Sequence, residues 1–256
     1  MNIWVLNALI VWVAVSIVYL LSRLLKRNDI MDIFWGQGFF ILALINFSLT
    51  DYRPTYKWIL LFLIALWAFR LSIHILVKNR GKSEDFRYKQ WREEWGKTEW
   101  WRSYLQINLL QGFFMYIVAL PIFSVMQVPF IPGSFPVNEI LITPTLIAFF
   151  GFSIEALADY QKSIFKKYNP EGIMKTGLWR YSRHPNYFGD ALFWWGIGLF
   201  SFLFGSIILG LISAITMNVL LRYVSGVPML EKAKKGNEAF EAYKKETPIF
   251  IPFLRP

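Results

Sequence analysis

The chain has 256 residues, 55% of them hydrophobic and 19% aromatic, a load that an ordinary soluble domain of this length does not carry. A formal net charge of +10 points to nucleic acid only where the basic groups cover a solvated face; here they are confined between apolar runs, and no nucleic-acid partner is expected. With no cysteine and only two histidines, the chain has no disulfide, no thiol chemistry and no histidine-rich metal centre, and no metal is expected.

A helix crosses a bilayer with about 20 mostly apolar residues. Runs of that kind fall at 2–25, 30–49, 56–77, 103–126, 139–160, 187–201 and 204–224. The first is longer than a secretory core, has no small-residue cleavage site and ends in Arg23, Lys26 and Arg27, the reverse of a signal peptide's order, so it reads as a retained span. Before the fourth run, FRYKQWREEWGKTEWW (86–101) mixes Trp91, Trp95, Trp100 and Trp101 with charges and reads as an interfacial helix or loop, either an anchor or a lid. The sixth run is short and parts from the seventh near SFLFGS, so six spans with one re-entrant segment is the alternative. The expected fold is all-α: a polytopic membrane protein with seven transmembrane helices in one membrane-embedded domain, 1–256.

Cytoplasmic loops carry the excess of Lys and Arg. Basic clusters follow the first span, the third (78–102), the fifth (162–183) and the seventh (232–255), whereas the other connections carry only Arg53 and Lys57, and 127–138 has no basic residue. This alternation places the N-terminus outside and the C-terminus in the cytoplasm of a multi-pass protein, in a bacterial inner membrane or an equivalent cell membrane.

Charged side chains near the centre of a span cost about 2.5–3.5 kcal/mol on insertion scales, and they face a cavity or a partner. In this topology Asp32, Arg70, His74, Glu155, Asp159, Asn186 and Asp190 all lie toward the cytoplasm, which implies a polar pocket open inward and closed outward. Glu155, Asp159, Lys162 and Lys166 share one helix face at i, i+4, i+7 and i+11. They form either a stripe that holds a polar ligand or an ion-pair ladder that ends a span. Arg70 reads as a structural counter-ion to a carboxylate.

In RYSRHPNYFGD (180–190), Pro185 suits the first turn of a helix, because it has no N–H to leave unsatisfied. The unpaired N–H groups of that turn form an anion site, with Arg180 and Arg183 just outside it and Asn186 and Asp190 four apart on one face. A ligand with an anionic end and an uncharged polar end fits, as a reduced dinucleotide does; the simpler reading is positive-inside anchoring with a proline helix start. With no GxGxxG and no Walker loop, a nucleotide here needs a membrane-type site.

GLWRYSRHPNYFGDALFWWG (177–196) resembles the signature of the uncharacterised (DUF1295-type) integral membrane branch of the steroid 5-alpha-reductase and sterol reductase family. MDIFWGQGF (31–39), GKSEDFRYKQWR (81–92), EALADYQKSIFK (155–166) and the closing EAYKKETPIFIPFLRP agree with it, so the resemblance covers nearly the whole chain. It implies a seven-span enzyme that binds NADPH from the cytoplasm and saturates an electron-poor carbon–carbon double bond of a lipophilic, steroid-like or isoprenoid substrate. Substrate-side helices would occupy about 1–126 and cofactor-binding helices about 139–256. Carried over by residue, the cofactor contacts fall on Glu155, Asp159, Lys166, Arg183, His184, Asn186, Tyr187, Asp190 and Tyr243, to which the spacing argument adds Lys162 and Arg180. Lys166, Lys167 and Arg180 would suit a 2′-phosphate. Glu155 stands where steroid reductases tend to have Asn, and their glutamine–glutamate ketone grip has WGQG (35–38) as its nearest counterpart, which leaves the substrate open.

The mechanism so implied is hydride transfer to the β-carbon of an enone while a proton donor stabilises the developing enolate. The candidates for that donor are Asp32, Gln37 and Tyr88, a tyrosine with a carboxylate partner being an acid that stays neutral at pH 7. Two other functions compete: a methyltransferase of the isoprenylcysteine carboxyl type using S-adenosylmethionine, which shares a similar RHP-containing stretch, and a non-enzymatic lipid-binding or transport protein. Membrane lipids are partners under each.

Overall fold

The computed structural model describes residues 2–128, 140–204 and 206–254. The described residues are all-α, and the chain divides into two compact units, Met1–Ser134 and Phe135–Pro256.

In the N-terminal unit, α1 (Ile3–Leu25), α2 (Ile30–Ser48) and α3 (Thr55–Asn79) match the first three predicted spans to within two residues at each end. Asn2 caps α1 by accepting a hydrogen bond from Trp4 N at 2.9 Å. Lys26 closes it in the left-handed conformation (φ 54°), returning amides to the Arg23 and Ser22 carbonyls. Inside the apolar packing, Asn7 and Asn46 exchange amide hydrogen bonds of 3.1 and 2.7 Å between α1 and α2, so neither polar group is stranded in hydrocarbon. Lys57, fully buried at the start of α3, donates from Nζ to Thr50 Oγ1 and to the carbonyls of Met126 and Val128. A lysine with no carboxylate partner among the described residues thus becomes tolerable, because its three protons meet a hydroxyl and two carbonyls.

The predicted fourth span starts much earlier than its apolar run. Helix begins at Phe86 and continues as α4 (Phe86–Trp95), a 3₁₀ turn (Gly96–Thr98), α5 (Glu99–Arg102), a π-helical stretch (Ser103–Leu109) and α6 (Leu110–Val118). It then bends by 44° into α7 (Leu120–Met126). Pro121 sits at that break, where its ring and missing N–H disrupt continuation. The aromatic, charged segment 86–101 is therefore helical, and it joins the span directly.

The C-terminal unit contains α8 (Ile142–Tyr168), a 3₁₀ turn (Gly177–Arg180), α9 (Pro185–Leu203), α10 (Ile207–Val219, running into a π turn to Val224), α11 (Val227–Lys232) and α12 (Glu238–Glu246). Helices α8 and α9 approach until their backbones touch: a Cβ on Gly189 would stand 2.5 Å from Glu155 N and 2.6 Å from the Gly151 carbonyl. No side chain fits there, and small residues are what allow helices to close in this way within a membrane. The contact sets Glu155 and Asp159 of α8 against Asn186 and Asp190 of α9.

Among the described residues five helices are long and apolar enough to cross a bilayer (α1, α2, α3, α8 and the run from Ile207 to Lys232), and the bent α4–α7 run makes a sixth if it counts as one span. Helix α9, the short sixth span of the sequence reading, falls below that apolarity; it opens on Asn186 and Asp190. The predicted loop 127–138 and the start of the fifth span at 139 lie largely outside the described residues, as do Gly205 in the SFLFGS break and the last two residues.

Candidate functional site

Each unit holds one cluster of the predicted site residues. In the N-terminal unit, Asp32 lies in the first turn of α2 and Tyr88 on α4, and they meet: Tyr88 Oη donates to Asp32 Oδ1 at 2.5 Å. Arg87 Nη2 reaches the other oxygen, Asp32 Oδ2, at 2.9 Å and holds Asp85 Oδ1 through Nε at 2.8 Å. Gln111 Nε2 donates to the Tyr88 hydroxyl at 3.4 Å. Tyr88 is buried while Asp32 and Arg87 keep about a quarter of their side chains open, and the phenol is held by Asp32 on one side and Gln111 on the other. Burial works against charge on Asp85, but Arg87 beside it outweighs this and holds the carboxyl below its ordinary range. Gln37 does not join this group; its amide donates to the Ala68 carbonyl of α3 at 3.3 Å.

A second network stands beside it. Glu99 receives Arg23 and Ser103 Oγ, Arg92 bridges Glu99 and Glu84, and Glu84 accepts from Asn28 N at 2.6 Å. These contacts tie the helix from Phe86 onward to the α1–α2 turn and so fix where Tyr88 stands.

In the C-terminal unit, Asn186 Nδ2 donates to Asp159 Oδ1 at 3.0 Å across the α8–α9 contact. Glu155, Asp159 and Asp190 are all buried there. His184, just before α9, is 4% exposed and stacks on Tyr187 with ring centroids 5.7 Å apart and planes at 6°. Its Nε2 lies 3.2 Å from Glu231 Oε1, and burial pushes the imidazole down to about 4. A neutral ring facing a carboxylate keeps its proton on Nε2, so Nδ1 is an acceptor. That Nδ1 and Asn186 Oδ1 are buried and have no hydrogen-bond partner among the described residues. Two buried acceptors, two positions apart in the chain at the head of α9, would suit a ligand that donates hydroxyl or amide protons.

Three predicted cofactor contacts have other duties. Arg183 is 7% exposed; its guanidinium holds Glu231 at 2.8 Å and the carbonyls of Lys244 and Thr247 at 3.1 and 2.7 Å. Tyr243 donates to the carbonyls of Trp179 and Ser182, and burial pushes its phenol up. Lys166 donates to the Pro170 carbonyl. Together with Arg183 N to the Pro248 carbonyl (2.8 Å) and Ser182 Oγ to the Phe250 carbonyl (2.7 Å), the bonds of Arg183 and Tyr243 clamp the C-terminal arm onto residues 179–184. Arg180 is exposed, and Lys162 lies 4.4 Å over the Trp179 ring. Arg87, Gln111 and Glu231 are the residues that sequence reasoning did not single out. Glu231 left one trace, a lone acid in the basic run LEKAKK. Among the described residues no three His, Asp or Glu side chains are grouped as a metal ion would need.

Comparison with other proteins gives a family and little more. A protein of Schizosaccharomyces pombe described as "Uncharacterized protein C594.04c" is 29% identical over 177 residues, which are 58% of this chain and 48% of that protein. The chain thus spans about half the length of that relative. No solved structure matches. The family described as "Protein of unknown function (DUF1295)" matches residues 18–247, nearly the whole chain and both clusters described above, and the protein belongs to that family.

Proposed function

We propose that the protein is a membrane oxidoreductase that uses NADPH to reduce an activated carbon–carbon double bond of a lipophilic substrate, with seven spans, the N-terminus outside and the cofactor site facing the cytoplasm. The observation that carries this reading is the pair of buried acceptors, His184 Nδ1 and Asn186 Oδ1, at the head of α9 between the Asp159 carboxylate and a basic surround. A reduced dinucleotide offers matching donors in its ribose hydroxyls and carboxamide, and its phosphates suit the surround.

In this reading Asp159 orients Asn186, whose Oδ1 accepts from the carboxamide, and His184 accepts a ribose hydroxyl while Glu231 fixes its tautomer. When bound, the nicotinamide supplies the hydride. Tyr88 holds a proton at Oη for the substrate carbonyl, and Asp32, kept in place by Arg87, holds the phenol in position. Saturation of an enone adds hydride at the β-carbon and a proton, taken from water, at the α-carbon, and Tyr88 Oη would stabilise the charge that the carbonyl oxygen carries before that proton arrives.

One observation also suits the methyltransferase reading: the three buried carboxylates Glu155, Asp159 and Asp190 would welcome the sulfonium and ammonium of S-adenosylmethionine. Titration of the purified protein in nanodiscs separates the two. Saturable quenching of NADPH fluorescence, weakened at least about tenfold by Asn186→Leu with helicity retained, supports the reductase. Saturable S-adenosylmethionine binding without NADPH binding replaces it with the methyltransferase, and binding of neither favours a lipid-binding or transport role. With an enone found to be reduced, Tyr88→Phe is expected to lower turnover by about 10²-fold or more and leave NADPH affinity unchanged.

A further inference from the structure

Residues 248–254, PIFIPFL, carry no charge, and Phe250 alone among them is buried. Its ring meets that of Phe188 in α9 edge-on, with centroids 6.1 Å apart, and its carbonyl accepts from Ser182 Oγ at 2.7 Å. Ile251, Phe253 and Leu254 are exposed, Phe253 to 80%. Tyr181 is exposed as well, and its ring centroid lies 5.0 Å from that of Phe253. Phe253 also adopts a positive φ of 66°, which among the described non-glycine residues only Lys26 shares. Lys26 ends a helix there, whereas Phe253 ends none, and a bulky side chain keeps this conformation only where its surroundings hold it. The backbone behind it is held by the bond from Arg183 N to the Pro248 carbonyl and by that from Ser182 to Phe250, and the Tyr181 ring receives the side chain. The result is a fixed apolar tip that the C-terminal unit itself leaves uncovered, and such patches mark surfaces of interaction.

Helix packing sets the level at which this tip stands. A Cβ on Gly189 would touch Glu155 and one on Gly196 would touch Ala148, so α8 and α9 run antiparallel; Gly198 lies against Gly210 in the same way, which turns α10 back along α9. The ends of α8 and α10 therefore share one end of the unit with the start of α9, into which residues 179–184 lead. The exposed side chains of α8 run from Leu146 and Phe150 through Leu157 and Ile164 to Tyr168, and those of α10 end on Tyr223 and Val224 just beyond it. Tyrosines at the ends of lipid-facing stripes mark the headgroup layer, where an aromatic ring can bury its body and keep its hydroxyl wet. Tyr181 and Phe253 continue that layer. Residues 247–254 bring no carboxylate to it, and the exposed Arg180 stands beside Tyr181.

We infer that Tyr181, Ile251, Phe253 and Leu254 form a wedge seated in the interfacial layer of the bilayer that the protein's own helices cross. Its occupant is the glycerol and upper acyl region of the phospholipids, which takes up aromatic and branched side chains while Arg180 faces the phosphates. The C-terminal arm is then tethered twice, by hydrogen bonds to residues 179–184 and by its tip to lipid, and the turn that carries His184 into α9 is held at a fixed depth. The inference is independent of the proposed reaction.

Because the chain has no cysteine, a single nitroxide can be attached at a chosen position without removing any. The full chain in phosphatidylcholine nanodiscs is labelled through Leu254→Cys or, at an exposed position of α12, through Lys245→Cys. Power saturation then compares collisions with oxygen, which partitions into lipid, and with a nickel chelate confined to water. Oxygen is expected to dominate at 254, at a depth of about 5–10 Å into the headgroup–acyl boundary, and the nickel chelate at 245. Dominance of the nickel chelate at both positions would overturn the inference. Spectral broadening at 254 that disappears on dilution with unlabelled chain would place a second copy on the tip and overturn it too. Phe253→Gly tests the held ring, since glycine accepts the left-handed backbone and removes the side chain. In that variant, with its elution and helicity those of the parent, the label at 254 is expected to lose its preference for oxygen; an unchanged preference would show that Phe253 is no part of a wedge.

Discussion

The two units handle charge in opposite ways. In the N-terminal unit, ions of opposite sign close on each other: Arg27 on Asp29, Arg92 on Glu84 and Glu99, Arg87 on Asp32 and Asp85. The Asp32–Tyr88 pair is tied into these ions through Arg87. In the C-terminal unit one carboxylate, Glu231, serves an arginine and a histidine at once, lysines rest on aromatic rings, and buried acceptors stay open at His184 and Asn186. The first arrangement closes its ion pairs and leaves Asn28 Oδ1 and Asn108 Oδ1 buried with no hydrogen-bond partner among the described residues. The second leaves its open acceptors at the head of α9, and a buried acceptor with no donor costs about 1–3 kcal/mol until something fills it.

The largest test of this contrast is steric. Gly189→Leu would drive a side chain into the backbone of α8 at Glu155 and Gly151, where nothing can move aside, and separate the two helices that bring Asp159 to Asn186. Overpacking of flexible cores costs about 1–3 kcal/mol, and a backbone obstacle places this variant at or above that range. It should lose its monodisperse elution peak in detergent together with all ligand binding. Gly112→Ala in the N-terminal unit is the control: its Cβ would meet the methyls of Val11 and Val15 at 3.1–3.2 Å, and that variant should elute as the parent does. Equal behaviour of the two would show that the α8–α9 contact is looser than described.

Hydropathy made α1, α2 and α3 legible almost to the residue, because each apolar run is bounded by charges or, at Pro54, by proline. It misplaced the start of the next helix by seventeen positions, Phe86 rather than 103. Hydropathy reports the solvent around a segment, and the charged residues of 86–102 are good helix formers that leave the apolar window without leaving the helix. Sites divide along a similar line. The face shared by Glu155 and Asp159, and that of Asn186 and Asp190, follow from helical spacing and were visible. The occupation of Arg183 and Tyr243 was not, because their partners stand between 48 and 64 positions away, and no local pattern encodes which carbonyl a guanidinium or a phenol will reach.

A smaller effect sharpens the contrast through pH. His184 is held neutral by burial, with its pKa near 4 against an ordinary 6.5. Between those values the unfolded chain binds a proton that the folded chain refuses, so stability is full above about pH 6.5 and is lost as pH falls toward 4. Glu231, facing the ring with Arg183, Lys162 and Lys234 around it, moderates the loss without reversing it. His184→Gln retains a donor for Glu231 and removes the titration. Chemical-denaturation midpoints in detergent at pH 7, 6 and 5 should fall more steeply for the parent than for this variant. Parallel profiles would mean that the imidazole is charged in the folded protein, and its Nδ1 would then be a donor.

The smallest effect lies in the N-terminal unit, at two polar groups that match each other. Asn7 and Asn46 satisfy each other between α1 and α2, and each also donates to a carbonyl four residues back in its own helix, Ile3 and Leu42. Truncating one partner therefore leaves the other with an acceptor still in reach. Interhelical hydrogen bonds within membranes average about 0.6 kcal/mol by double-mutant cycles, with about 1.7 as the upper end. Asn7→Leu and Asn46→Leu should each destabilise by about that average, and the double variant by less than their sum, because the second change removes a bond the first has already broken. A cycle read from unfolding in mixed detergent micelles measures the coupling directly. A value above about 2 kcal/mol would show that the pair is coupled more tightly than interhelical hydrogen bonds within membranes account for.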